Sequence, residues 1–364
     1  MAKAFAWIQH RHPVLRARFS DDGFLWRADE DVQPLECEGG VRDAATAATA
    51  WLNERFSSPA LTAEPMLAGR LFENDSNVRF LAGYCNHAAT DWLSGAVIWN
   101  EFWQAYEAYM IGLQPRIATA ASTFEDFCDW EASHAGESQV LERLWTDRLA
   151  GAEPLPGAGQ TSPCIEIPVK LESTQVLALQ AFGKANSLSG PFILTALFAY
   201  ACSNVMDRRR LAIGYYMAGR LPRFSHSVGC FSQLRAFVPT NRPMSLKVRL
   251  KADFAAYVAT LDIRKPVPQS VADRLHLGDI CVNIIPSDSF SAPRAPIGLL
   301  LDAIPPPRRT VFRRNLSLFL RIGPAGATGG LWVARDRISE GTSQQVLKEW
   351  LDLLNVVGVG NAMW

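Results

Sequence analysis

The sequence predicts a mixed α/β (α+β) protein built in two lobes, each a mixed sheet with flanking helices. Short apolar runs of strand length alternate along the whole chain with stretches whose apolar residues recur at helical spacing. The 364 residues, 48% of them hydrophobic, supply apolar material for more than one core. Residues 151–163 (GAEPLPGAGQTSP) are dense in Gly, Pro and Ser, the composition of a hinge. The lobes are accordingly placed at 1–157 and 158–364.

The elements follow in order. Phe5, Ile8, Val14 and Leu15 stand at roughly helical spacing before and around Pro13, so a helix is expected first and a strand over 16–19. Residues 78–85 (VRFLAGYC) read as a buried strand and 86–92 as a loop. A helix over 93–110 sets Val97, Ile98, Phe102, Tyr106 and Met110 near one face, with Asp91 where an N-cap belongs. A further helical stretch covers 124–149. Past the hinge, the strand CIEIPV (164–169) leads to an amphipathic helix over 173–185 and to an apolar helix over 189–205 that must be buried on most sides. Later strands are expected at 211–217, 230–239, 280–285, 316–322 and 331–334, with a closing helix at 343–356.

Composition narrows the function. Lys plus Arg equals Asp plus Glu at 36 each, so no overall field draws the chain to nucleic acid or to an anionic membrane. The seven cysteines are scattered, odd in number and form no C-x-x-C pair, which points away from a zinc or redox site and towards a reducing, cytoplasmic setting. No apolar stretch approaches the roughly 18 residues needed to span a bilayer, and the N-terminal apolar run is broken by His and Arg, unlike a signal peptide. No metal site is expected.

The segment Asn86-His87-Ala88-Ala89-Thr90-Asp91-Trp92 puts an imidazole just past a buried strand and a carboxylate four residues on, at the mouth of a helix. A neutral imidazole accepts a proton from an attacking amine or hydroxyl near pH 7, an effect worth about a hundred- to ten-thousand-fold in rate. Taken alone, His87 reads more simply as a hydrogen-bonded structural histidine at a strand end, and Asp91 as a helix cap. The surrounding sequence changes that balance.

Five segments, in order, resemble the condensation domains of nonribosomal peptide synthetases and their free-standing acyltransferase relatives, which carry an H-H-x-x-x-D-G motif. RHPVLRARF (11–19) is similar to the family's R-H-x-x-L-R-x-x-F element, and Asn86 to Trp92 resembles the motif itself with its first His and its Gly replaced. Residues 94–112 resemble the Tyr-rich helix that follows. Asp126, Phe127, Trp130, Trp145, Leu149, Gly151 and Pro154 resemble the next pattern, IGYYMAGR (213–220) the G-x-x-x-x-G-R segment, and VGCFSQLRAFV (228–238) the V-G-x-F-x-N segment with Gln233 at the Asn position.

That resemblance implies a chloramphenicol acetyltransferase-like fold with a tunnel between its lobes. A phosphopantetheine thioester, supplied by an acyl or peptidyl carrier protein or as coenzyme A, would enter it to meet a small-molecule acceptor. No permanently bound cofactor is implied, and the partners are the carrier and other synthetase modules. His87 matches the motif histidine, a general base or orienter of the nucleophile in a direct attack without an acyl-enzyme. Asp91 matches a structural aspartate paired with an arginine, for which Arg220 is the first choice and Arg235 the second. Asn86, Trp92 and Gln233 stand as supporting or tunnel residues. Trp92 at a glycine position would cost about 1–2 kcal/mol if a positive φ were required there. The family's usual first strand and helix are missing ahead of Arg11, which leaves an edge to be covered. A coenzyme A-dependent acyltransferase and a non-catalytic docking module, recruiting a carrier protein or tailoring enzyme, are the competing functions. The arginine clusters 208–210, 308–309 and 313–314 read as solvated charge before they read as a phosphate grip.

Overall fold

A computed structural model describes residues 1–19, 26–28, 32–57, 65–76, 79–117, 122–133, 138–152, 162–208, 210–240, 244–261, 267–286, 311–312 and 314–359. Among these, the chain forms two compact units: Met1–Ala135 with Arg220–Phe231, and Gly136–Gly219 with Ser232–Asp288 and Arg309–Trp364. The boundary expected at residue 157 lies outside the described residues, as does most of the expected hinge.

The first unit holds α1 (Ala2–Arg11), a 3₁₀ turn at Pro13–Arg16, the short pair β1 (Ala17–Phe19) and β2 (Trp26–Ala28), β3 (Glu36–Val41), α2 (Ala44–Ser57), β4 (Leu67–Asn74), β5 (Arg79–Cys85), α3 (Trp92–Met110) and α4 (Phe124–Ser133). Strands β3, β4 and β5 form one sheet, parallel between β3 and β4 and antiparallel between β4 and β5. Helix α2 buries Ala44, Ala48 and Trp51 with Phe72 and Ala82 of the sheet. Phe5 and Ile8 of α1 pack with Leu67, Ile98, Phe102 and Trp103. The R-H-x-x-L-R element is tied to the same place by charge, since Glu101 of α3 meets Arg11 Nε and His12 Nε2, each at 2.7 Å. Both contacts fix the N-terminal end of the chain against the helix that follows the His87 loop.

The second unit holds α5 (Ser138–Arg148), β6 (Ser162–Glu172), α6 (Ser173–Asn186), α7 (Gly190–Val205), β7 (Ile213–Ala218), β8 (Ser232–Phe237), α8 (Leu246–Leu261), α9 (Gln269–Leu275), β9 (Ile280–Pro286), β10 (Val311–Phe312), β11 (Leu316–Gly323), β12 (Gly326–Ala334) and α10 (Glu340–Val359). Its seven strands run in the order β10-β6-β12-β11-β9-β7-β8, with β9 parallel to both β11 and β7. Twelve residues of α7 are buried, as its apolar sequence demands, and α6, α10 and the sheet close over it. No single described helix is long and apolar enough to cross a membrane; α6 and α7 pass that test only together, bent by 102°.

The expected helix over 124–149 is two helices, α4 and α5, with 134–137 outside the described residues. Strand β12 begins at Gly326 rather than 331, because its Gly-rich start pairs with β11 on one side and β6 on the other. Elements α2, β3, β4, α8 and α9 were not among those the periodicity singled out.

Candidate active site

Strand β5 ends at Cys85 and α3 starts at Trp92, so the residues between must reverse direction within one tight turn. Asn86 builds that turn. Its backbone N–H donates to the Met66 carbonyl at 2.8 Å, its Oδ1 accepts from Ala88 N at 2.9 Å, and its carbonyl accepts from Ala89 N and Thr90 Oγ1, both at 3.0 Å. An amide thus satisfies the backbone here without a titrating group.

The turn leaves His87 exposed. Its Nδ1 lies 2.6 Å from the Thr90 carbonyl oxygen. A carbonyl only accepts, so Nδ1 carries the hydrogen, and in the neutral ring Nε2 holds the lone pair. The Cys230 thiol also acts on the titration of the ring. That thiol, chiefly, and the Thr90 carbonyl push the imidazole up to about 9, while burial acts the other way.

Asp91 caps α3, its Oδ1 accepting from Ser94 N and Ser94 Oγ at 2.8 Å. The same oxygen meets Arg220 Nη2 at 2.9 Å, the two side chains being 3% and 5% exposed. Arg220 also donates to Ser94 Oγ at 2.8 Å, to the Phe224 carbonyl at 2.9 Å and to the Ser227 carbonyl. Its guanidinium lies 4.0 Å from the Phe231 ring centroid. Burial pulls the Arg220 guanidinium down from its ordinary value, and the charge of Asp91 opposes this. Two backbone groups complete the lock: Phe231 N–H donates to Asp91 Oδ2 at 3.1 Å, and Gly229 exchanges bonds with Asp91 N and Ser94 Oγ.

Segment 220–231 is therefore part of the first unit although it lies far along the chain. Phe224 and Phe231 pack on Phe127 of α4, with ring centroids 5.4 and 4.8 Å away. A Cβ on Gly229 would overlap the Phe124 ring, which is why the motif glycine lets the segment lie flat against α4.

Trp92 is the first residue of α3. The non-glycine residues with positive φ among those described are Ser187, Asp207 and His276, so the strain expected of an indole at this position does not arise. Gln233 belongs to the second unit, on β8, where its Oε1 accepts from Arg235 Nη2 at 2.8 Å. Arg235 reaches the Thr260 carbonyl as well, so the second-choice partner of Asp91 is engaged elsewhere. Among the described residues no group of three or more His, Cys, Asp or Glu could hold a metal ion. Two contributors were not singled out from sequence: Ser94 and Cys230. Both stand inside segments that resemble family motifs, but a serine in a first helical turn and a cysteine at a variable motif position carry no signal of their own.

The condensation-domain family matches residues 1–262, most of the chain. The chain belongs to the condensation-domain family. Condensation domains are acyl-transfer enzymes. Against the nonribosomal peptide synthetase kk1B of Curvularia clavata, this condensation domain is 24% identical over 242 residues, which is 62% of the chain and 2% of that much longer protein. Its fold is shared with VibH, a condensation enzyme of nonribosomal peptide synthesis (TM-score 0.76, 14% identity, 100% of this chain and 88% of that one). It is shared equally with the X-domain of teicoplanin biosynthesis, solved in complex with OxyB (TM-score 0.79, 17% identity, 98% and 84%). The two-lobed chloramphenicol acetyltransferase-like architecture is that of these structures.

Proposed function

We propose that this condensation domain transfers an acyl or peptidyl group from a phosphopantetheine thioester, borne by a carrier protein, to the amine or hydroxyl of a small-molecule acceptor. His87 takes the proton as the nucleophile attacks the thioester carbonyl. The observation that carries this reading is the bond from His87 Nδ1–H to the Thr90 carbonyl, which leaves Nε2 as the acceptor on an exposed ring. Asp91 and Arg220 do not take part in the chemistry; they hold the turn that aims the imidazole. Base catalysis needs the neutral ring, so its contribution is present above the His87 pKa and lost as pH falls through it. With that value near 9, the rate climbs between pH 7 and 9.

Replacing His87 by Ala tests the proposal. Product formation from a loaded carrier falls about a hundred- to ten-thousand-fold with the thermal transition unchanged; turnover at the parental rate contradicts it. The same assay with the matching acyl-coenzyme A in place of the loaded carrier decides the donor, and a strong preference for the former assigns a coenzyme A-dependent reaction.

One observation favours a second reading, a non-catalytic docking module for a carrier protein or tailoring enzyme. An imidazole held protonated at neutral pH by Cys230 is a poor base there. In that case the His87→Ala protein keeps its partner, and no product forms with either protein at any pH from 6 to 9.5.

A further inference from the structure

Trp7, His10 and Arg11 stand at i, i+3 and i+4 on α1, a spacing that puts all three on one face of the helix. The other wall comes from the chain beyond α3. Gly112, at φ 75°, turns the backbone out of that helix, and Leu113 N–H closes the turn on the Ala108 carbonyl at 2.9 Å. Pro115, Arg116 and Ile117 follow, and with the three residues of α1 they line an open groove of about 580 Å³. That volume lies within the roughly 300–1,000 Å³ of ordinary small-molecule sites. All six residues belong to the first unit.

The lining is cationic on one side of its chemistry and apolar on the other. His10, Arg11 and Arg116 supply hydrogen-bond donors, and none of the residues lining the groove carries a carboxylate. Arg11 is already matched: its Nε lies 2.7 Å from Glu101 Oε2, and its guanidinium carbon stands 5.6 Å from the Trp7 ring centroid. His10 and Arg116 are exposed, and among the described residues neither has an ion-pair partner. Trp7, Pro115 and Ile117 add an apolar wall that includes one large flat ring. A bare anion uses only the cations, and an acidic peptide has no use for the indole. A ligand that uses both carries an anionic group for the guanidinium fork and a planar ring for the indole face.

We propose that this groove is a binding site for a nucleoside phosphate, whose phosphate meets Arg116 and His10 and whose base stacks on Trp7. The site is separate from the proposed acyl transfer, since none of its residues belongs to the His87 turn or to the lock that holds it. Binding is therefore read without turnover.

The probe is adenosine 5′-diphosphate, titrated into the full chain by calorimetry at low salt. It binds once per chain. Arg116→Glu, a change at an exposed position, weakens binding about tenfold or more, and Trp7→Leu, which keeps an apolar side chain without the ring, about fivefold or more. Lys251→Glu, an exposed cation of the second unit, leaves it unchanged. Adenosine and inorganic phosphate, each titrated alone into the parent chain, bind at least about tenfold more weakly than the diphosphate, which reads the two halves of the site without any variant. No binding of the diphosphate, or binding that Arg116→Glu does not weaken, overturns the proposal. Inorganic phosphate binding as tightly removes the part given to Trp7 and overturns it too. Hexaglutamate binding as tightly assigns the groove to an acidic peptide, with the same consequence. If the nucleotide binds but no carrier-borne acyl group is transferred, this inference stands and the proposed function fails; transfer without nucleotide binding leaves the reverse.

Discussion

The two compact units are stabilised by different means. The second is built on one large apolar cluster centred on α7, in which Phe192, Ile193, Leu194, Leu197 and Phe198 are all essentially without solvent contact. The first divides its apolar residues among several smaller clusters, and around His87 it relies on a polar lock of Asp91, Ser94, Arg220 and the backbone of 229–231. A continuous core tolerates exchange of one apolar residue for another of similar volume. A buried charge network tolerates no such exchange, because each member leaves its partner without a counterion or hydrogen bond. The unit that carries the candidate chemistry is thus the one whose local geometry is the more sharply specified.

The comparison is broken most forcefully at its two centres. Asp91→Ala or Arg220→Ala strands a buried charge, and a loss of about 3–5 kcal/mol is expected in urea unfolding, with turnover lost along with the turn. The double replacement should cost less than the two single ones combined, since neither charge is left alone. Phe198→Ala removes a fully buried ring from the second core, with an expected loss of about 3–5 kcal/mol, whereas Phe198→Leu should cost well under half of that. Equal damage from the conservative and the truncating change would remove the distinction drawn between the units.

Smaller effects sharpen the account. Gly229→Ala forces its new methyl group into the Phe124 ring, with an expected penalty of about 1–3 kcal/mol; Phe124→Ala in the same chain should relieve part of it, a coupling read from a double-mutant cycle. Smallest in stability is Cys230→Ala. It removes the foremost cause of the raised His87 pKa, so the pH at which turnover reaches half its plateau should fall from about 9 towards the ordinary histidine range. At neutral pH more of the ring is then neutral and able to accept a proton.

The two regions also differed in how far they could be read from sequence. In the second unit, helix α7 and strands β7, β9 and β11 were legible because continuous apolar runs leave little choice but burial. In the first, β3 (ECEGGV) carries two glycines and two glutamates on an edge strand exposed almost throughout, and the alanine-rich α2 shows only weak amphipathic spacing. Periodicity has nothing to register in either. The break between α4 and α5 escaped for a related reason: no proline interrupts 124–149, so a helical pattern ran through.

At the site, Asp91 was legible as a cap and His87 as an imidazole at a strand end. Arg220 stands 129 residues from Asp91, and only the family resemblance brought the two together. The Cys230 thiol beside His87 has no sequence signature at all, because it depends on how 229–231 docks on the α3 N-terminus. That docking is settled by backbone hydrogen bonds and by the aromatic packing of Phe124, Phe127 and Phe231, none of which spacing along the chain can show.

The account turns on a single ring: Nδ1–H bound to the Thr90 carbonyl, which leaves Nε2 to take the proton of the attacking nucleophile. Nitrogen-15 NMR of the His87 side chain through a pH titration reads both nitrogens at once. The account predicts a midpoint near 9 in the parent protein, a lower one in Cys230→Ala, and a neutral ring protonated on Nδ1 in both. A neutral ring protonated on Nε2, with a midpoint near 6.5 that Cys230→Ala does not move, would contradict it.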